Sequence, residues 1–410
     1  MKILLIVIDG LGDRAIAQLG NKTPLAAART PNLDYLAKNG ICGLLKVKFQ
    51  GATPTSEEAH FSLFGYNPER YKIKRGIITA TGAGIKAQKG DVALRGNFAT
   101  VDKNFNIIDR RAGRIKSPEP LIESLRGIKI KGVRFLLKSA TEHRLGIIMR
   151  GRGLSPNISD GDPFYGKLGK RARKIKPFDK TQKAAFTARV LNEFLEKAHQ
   201  SLREHPFNKK REKQGLPPAN YILVRGASSL PQLPSFKEKY SLKACCIAGK
   251  FLYQQIGKIL GMDLIKVRGA NGKPNTNLKG KFKAARKALK RYNFVFLHIK
   301  ATDTLAEDGN FLGKKEFIEK IDKNLKPILK LKDTPIVVTA DHSTCCALKR
   351  HCSEPVPLLI YGKGKDGIEE FSERACQKGK LGKFEQLKLM DRILKPYPHY
   401  QVSGVGVYKN

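Results

Sequence analysis

An α/β fold, built as a mostly parallel sheet flanked by helices with a smaller α+β domain inserted into it, is predicted by three features of the sequence. Short continuous apolar runs recur at Ile3–Ile8, 221–224, Phe294–Ile299, 335–338 and Val356–Tyr361, as expected of strands buried on both faces of a parallel sheet. Helical periodicity fills the spaces between several of them. Residues 184–202 read as one long amphipathic helix, 284–291 as a basic one and 317–331 as a third. Between about 76 and 235 the pattern changes, and 91–102, 106–115 and 133–149 read as strands joined by short turns. The expected organisation is therefore a discontinuous domain, 1–75 plus 236–410, interrupted by an insert at 76–235. The stretch 206–218, rich in Lys, Arg and Pro, reads as a loop in or near the returning crossover. A chain of 410 residues also exceeds the size at which one hydrophobic core is usual.

No apolar run approaches the roughly 18–20 residues that a spanning helix needs, so the expectation is a chain without a membrane segment. The run Ile3–Ile8 is too short for the apolar core of an export signal. Four of the seven cysteines form adjacent pairs, Cys245-Cys246 and Cys345-Cys346, which favour no ordinary bridge. All seven are therefore expected to be reduced, in a cytoplasmic protein. The charge is unusual: 78 Lys and Arg against 36 Asp and Glu give +42. Such a field attracts phosphates and polyanions. It suits a small phosphorylated substrate, leaves nucleic acid open as a partner, and is also what a generally basic proteome would give. Residues 167–180 carry seven basic residues with one acid, and 267–290 carry eight with none. Neither segment interleaves aromatics as a single-strand stacking surface would, and each reads first as a solvated face.

Aspartates follow three of the apolar runs: Asp9, Asp303 and Asp341. Ligand sites in open α/β sheets gather beyond the carboxyl ends of strands, so three carboxylates distant in sequence are expected to meet. Asp341 is followed by His342, and His351 comes nine residues later. Mixed oxygen and nitrogen donors suit Mn²⁺ or Zn²⁺ better than Ca²⁺, and there are enough of them for two ions. Two such ions can clamp the attacking and leaving oxygens of an in-line phosphoryl displacement. Ser56, in Pro54-Thr55-Ser56-Glu57-Glu58-Ala59-His60, precedes an expected helix running through Phe64. There it serves either as an activated nucleophile or as a helix N-cap supported by Glu57 and Glu58. Cys345, Cys346 and Cys352 lie beside the two histidines, but their spacing fits no familiar paired Cys-x-x-Cys zinc arrangement.

These motifs resemble the archaeal-type cofactor-independent phosphoglycerate mutases of the alkaline-phosphatase superfamily. The resemblance rests on Ile-Asp-Gly-Leu-Gly-Asp (8–13), Lys-Thr-Pro-Leu-Ala-Ala-Ala (22–28), Thr-Pro-Asn-Leu-Asp (30–34) and Ala-His-Phe-Ser-Leu-Phe-Gly-Tyr-Asn-Pro (59–68). Arg-Gly-Asn-Phe-Ala-Thr-Val-Asp (95–102), Asp-Arg-Arg-Ala-Gly-Arg (109–114), residues 298–303, Asp-His-Ser-Thr (341–344), His351 and Pro-Val-Pro (355–357) extend it over nearly the whole chain. It implies interconversion of 2-phosphoglycerate and 3-phosphoglycerate through a phosphoserine at Ser56, with two divalent ions and no bisphosphoglycerate. Asp9, Ser56, Asp341 and His342 would hold one ion, and Asp303, residue 307 and His351 the other. Mn²⁺ is the first expectation, with Mg²⁺, Co²⁺ and Zn²⁺ as alternatives. Arg110, Arg111, Arg114, His143, Arg144, Arg150 and Arg225 would bind the substrate's phosphate and carboxylate. The chain departs from the family at residue 307, where Glu307 replaces a histidine and favours harder ions. It departs again at Thr55 and Glu57, where the family usually has Gly and Asp, and at Lys273, Asn275 and Asn277, which replace acidic residues. The alternatives are a phosphatase or phosphotransferase acting on another small phosphate ester, and an activity-impaired basic paralogue that binds RNA.

Overall fold

A computed structural model describes residues 1–47, 55–163 and 169–395; Pro54 of the serine motif and Lys167 of the first basic run lie outside them. The chain divides into two compact units, Met1–Arg70 with Leu233–Asn410, and Tyr71–Gln232.

In the first unit the described residues form an eight-stranded sheet. Its strands are β1 (Ile3–Ile8), β2 (Gly40–Lys46), β3 (Ala244–Ile247), β4 (Asp263–Leu264), β5 (Phe294–Ile299), β6 (Ile336–Thr339), β7 (Val356–Tyr361) and β8 (Gly382–Glu385). The order across the sheet is β4-β3-β5-β1-β6-β7-β2-β8. β1 lies at its centre, parallel to β5 on one side and to β6 on the other, with Ile8 opposite Ile299 and Val7 opposite Thr339. This register decides the site, because it brings the ends of three parallel strands level. All six residues of β1 are buried, which accounts for an unbroken apolar run where a half-exposed strand would alternate. β7 runs antiparallel to both its neighbours, so the sheet is mixed but mostly parallel.

Three helices matter below: α1 (Ser56–Leu63), α2 (Leu278–Ala288) and α3 (Ala301–Glu307). The third helix expected from periodicity starts earlier, at Phe311, where the Asn310 side chain accepts from the Gly313 N–H at 2.8 Å. It breaks before Pro327, which cannot continue the backbone ladder, and resumes as the short helix Lys326–Leu329.

Lys314, on the helix Phe311–Asn324, is fully buried. Its Nζ donates to Asp13 Oδ2 at 2.8 Å, to Thr344 O at 3.0 Å and to Gly12 O at 3.2 Å, while the Cys346 N–H donates to Asp13 Oδ1 at 3.1 Å. One ammonium thus ties the loop after β1 to the segment after β6. Lys314→Met leaves the Asp13 carboxylate buried without its cation, so the expected loss is about 3–5 kcal/mol of stability. It is to be read as a lower urea midpoint at unchanged slope.

The second unit is an antiparallel sheet whose central strand, Val92–Val101, pairs with Ile107–Asp109, Arg144–Arg150 and Tyr221–Ser228. The last of these corrects the sequence reading, which placed 221–224 in the parallel sheet. A buried apolar run looks the same in either sheet, and only pairing separates them. The expected strand at 106–115 shortens to Ile107–Asp109 followed by a 3₁₀ turn, and 133–149 resolves into the hairpin Val133–Thr141 and Arg144–Arg150. The helix Gln182–Glu204 packs its apolar face on this sheet, with the rings of Phe135 and Phe194 stacked at 3.9 Å. Residues 206–213, expected as loop, are helical: Pro206 stands at the first helical position, where its missing N–H costs nothing, and His205 caps the Phe207 N–H at 3.1 Å. No helix among the described residues is long and apolar enough to cross a membrane.

Candidate metal centre

Asp9 follows β1, Lys300 and Asp303 follow β5, and Asp341 and His342 follow β6, so level strand ends place all five at one edge of the sheet. Asp9, Asp303, Asp341 and His342 are completely buried. His351 arrives on the hairpin Ser343–Cys345 and Arg350–Cys352, with its Nε2 3.4 Å from Asp303 Oδ1 and its ring stacked on His342 at 3.6 Å. Among the described residues two groups have donor atoms close enough to share an ion: Asp9, Asp341 and His342, and Asp303, His342 and His351. His342 belongs to both. Glu307, expected in the second group, is in neither. It stands one turn beyond Asp303 on α3, where burial, then the Asp303 charge, raise its carboxyl.

Hydrogen bonding orients the shared histidine. Thr344 Oγ1 donates its single proton to Asp303 Oδ1 at 2.6 Å and therefore accepts from His342 Nδ1–H at 3.1 Å. That leaves Nε2 as the bare nitrogen, 3.2 Å from Asp341 Oδ2 and 3.7 Å from Asp9 Oδ1. Burial, then neighbouring His351, lower its pKa to about 3, so the ring is neutral, the form that binds metal. For Asp9, burial opposes ionisation, but the Lys300 ammonium and then His298 hold the carboxyl well below the usual range. Asp341 goes the other way: burial, then the Asp9 charge beside it, push it up, and its Oδ2 receives no hydrogen bond. Burial and Asp9 also oppose ionisation of Asp303, yet Lys300 and His351 outweigh them. A buried carboxylate oxygen without a donor, set among other carboxylates and a bare imidazole nitrogen, is what a divalent cation satisfies. The residues present fit the expected ions.

An outer layer holds these donors and was not singled out from the sequence. Lys300 Nζ lies 3.1 Å from Asp9 Oδ1 and is also paired with Asp303. His298 Nε2 meets Asp9 Oδ2 at 3.0 Å and stacks on Tyr253 at 3.5 Å, while the Gly10 N–H donates to Asp341 Oδ1 at 3.2 Å. His298 and Lys300 lie within the quoted segment 298–303, which was the signal available; Tyr253 carried none.

Ser56 is not the helix cap. Thr55 takes that place, its hydroxyl accepting from the Glu58 N–H at 3.4 Å while Glu58 Oε2 accepts from the Thr55 N–H at 2.8 Å. Ser56 is the first residue of α1, and its hydroxyl lies 3.4 Å from His342 Nε2.

The expectation of seven reduced cysteines is corrected: Cys345 and Cys352 form a disulfide across the hairpin that carries His351, with Cα atoms 5.9 Å apart. Pairing of the two short strands set this proximity, which a spacing of seven residues did not reveal.

In the second unit two of the expected anion-binding arginines are paired with carboxylates of the same unit, Arg110 with buried Asp162 and Arg150 bidentately with Asp91 at 2.7 and 3.0 Å. His143 is buried, and burial, then Arg144, Arg111 and Arg95, lower its pKa to about 4. It marks a cationic cluster that includes Arg95, which had been quoted in a motif but not assigned to the site. Arg225 lies opposite Arg95 in the strand register, and Arg114 is exposed.

The parallel sheet, its level aspartates and the shared histidine define a metalloenzyme with the alkaline-phosphatase-like fold, and the family description "Metalloenzyme superfamily" matches residues 1–396. The chain is 44% identical over 403 residues to 2,3-bisphosphoglycerate-independent phosphoglycerate mutase 1 of Archaeoglobus fulgidus, covering 96% of this chain and 97% of that one. It is 43% identical to the Methanocaldococcus jannaschii enzyme of the same name, covering 93% of each. Among solved structures, the cofactor-independent phosphoglycerate mutase of Thermoplasma acidophilum superposes with a TM-score of 0.72 at 36% identity, covering 96% of this chain and 98% of that one. A protein from Pyrococcus horikoshii superposes at 0.80 and 34% identity, covering 95% and 96%. The chain belongs to the 2,3-bisphosphoglycerate-independent phosphoglycerate mutases.

Proposed function

We propose that this enzyme interconverts 2-phosphoglycerate and 3-phosphoglycerate by passing the phosphoryl group through Ser56. The observation that carries the reading is the hydroxyl of Ser56, released from capping by Thr55 and lying 3.4 Å from Nε2 of His342, the residue common to both donor groups. Ser56 Oγ attacks phosphorus as its proton leaves, and the ester bond to the glycerate oxygen breaks. That oxygen takes up a proton. The neighbouring glycerate hydroxyl then loses its proton and attacks the phosphoserine, which frees Ser56 to take a proton back. The sum is an isomerisation, with no water consumed and no bisphosphoglycerate needed.

Asp9, Asp341 and His342, through its bare Nε2 and with Ser56 Oγ, would hold one divalent ion, and Asp303 and His351 the other. Bound there, the ions lower the proton affinity of the serine hydroxyl and neutralise charge on the phosphoryl oxygens. The helix start at Ser56 favours the same negative charge through the dipole of α1. Lys300, held by Asp9 and Asp303, adds a fixed cation at the same edge. The cluster of Arg95, Arg111, Arg144 and neutral His143 is suited to an anionic substrate group, since planar guanidinium matches carboxylate and phosphate bidentately. Arg110 and Arg150 would brace that unit through Asp162 and Asp91. Mn²⁺ is the first choice for a mixed oxygen and nitrogen site, and the compartment would be the cytoplasm.

The test is an enolase-coupled assay with 3-phosphoglycerate and Mn²⁺, without bisphosphoglycerate. Expected are turnover without release of inorganic phosphate, its loss after chelation, and its return on adding Mn²⁺. Phosphate release that keeps pace with substrate loss would make the enzyme a phosphatase instead.

A further inference from the structure

The helix α2 separates its residue types completely. Leu278, Phe282, Ala285 and Ala288 are buried, and Lys281 also turns inward, its Nζ donating to His298 O at 2.8 Å. The fully exposed residues of the helix are all cations. Lys279, Lys283 and Arg286 follow one another at helical spacing along one exposed stripe, with Lys287 alongside and Lys290 and Arg291 exposed in the turn that follows the helix. Neighbours four apart on a helix lie about 5–6 Å from each other, so the stripe is a row of closely spaced positive charges. Arg268 and Lys273, in the loop that leads into the helix, are exposed as well.

A generally basic composition does not produce this pattern. Other helices of the chain interleave acids with their lysines, as Lys315 with Glu319 at 2.8 Å and Lys197 with Glu193 at 3.2 Å. Between residues 267 and 290 there is no acid at all, and among the described residues none of these cations is in an ion pair. Like charges four apart oppose helix formation. The arrangement works against the helix's own stability and is relieved by a polyanion laid along it.

We infer that the exposed face of α2 docks the phosphate backbone of a double-stranded nucleic acid, in addition to the chemistry at the sheet edge. A duplex is favoured over a single strand because the face offers no aromatic ring on which to stack a base; Phe282 is buried. An anionic membrane is disfavoured because the helix's apolar side is committed to the core and no large hydrophobic residue is exposed on the segment. Recognition would be of phosphates, without base readout, and so independent of sequence and steeply dependent on salt.

The test uses the full chain and a fluorescently labelled DNA duplex of random sequence. The affinity is expected to fall linearly with salt on logarithmic axes, with a slope of about −0.9 for each phosphate neutralised. The triple variant Lys279→Gln, Lys283→Gln, Lys290→Gln should flatten that slope by about three, at roughly one per lysine. A control triple elsewhere, Lys209→Gln, Lys210→Gln, Lys213→Gln, should leave it near the parent value. Mutase turnover and circular dichroism should be unchanged in both, since none of these residues belongs to the metal centre. Equal flattening by the two triples would overturn the assignment in favour of diffuse charge. So would binding to anionic phospholipid vesicles with none to the duplex.

Discussion

Ser56→Ala is expected to abolish mutase turnover, by about 10⁴-fold or more, the scale seen when a catalytic nucleophile is removed. Stability should change by less than about 1 kcal/mol, because the capping box belongs to Thr55 and Glu58 and stays intact. The two donor groups need no atom of the serine side chain, so metal should still bind, with at most one oxygen lost from the first ion. The informative readout is therefore turnover measured beside metal content on the same preparation. An inactive variant that keeps its metal identifies the hydroxyl as the reacting group. Retained turnover would remove Ser56 from the mechanism and with it the phosphoserine route.

Changes at the two histidines should differ in kind. His342 is common to both donor groups, whereas His351 completes only the one containing Asp303. With its Nδ1–H given to Thr344, His342 has one nitrogen to offer, so His342→Ala is expected to lose the ion held with Asp9 and Asp341, and His351→Ala the one held with Asp303. Both should reduce turnover by more than the 10- to 100-fold that follows loss of an outer-shell partner. Metal analysis by mass spectrometry on protein dialysed against Mn²⁺ gives the count directly. Loss of both ions in either variant would show that the groups are not separate sites. The prediction relies on a stiff hairpin, and the chain provides one. His351 lies on one of the two strands joined by Cys345 and Cys352, and Lys314 holds the other through Thr344 O.

Much of this centre is legible in the sequence alone. The runs Ile3–Ile8 and Phe294–Ile299 coincide with β1 and β5, and the aspartates after them and after β6 meet where the carboxyl ends of parallel strands were expected to gather ligands. Ser56 was singled out with two roles open, nucleophile or cap; Ser and Thr are both good N-caps, and only backbone geometry shows that Thr55 has the capping role. Glu307 was drawn into the ligand set by its place in the motif, and the structure leaves it outside both groups.

The sequence by itself determined which segments are buried strands, which residues follow them and which chemistry those residue types allow. Each of these is a local property: an apolar run or a charged residue at a fixed offset is written in neighbouring positions. Tertiary structure alone decided that 221–224 joins the antiparallel sheet, that Cys345 bonds Cys352, that Arg150 is held by Asp91, and that Thr344 turns His342 so that its bare nitrogen faces two carboxylates. Each of those depends on which surfaces pair and which buried charge finds a partner far away in the chain. The free energy of a buried polar group is set by what surrounds it in space, and nothing in its sequence neighbours specifies that.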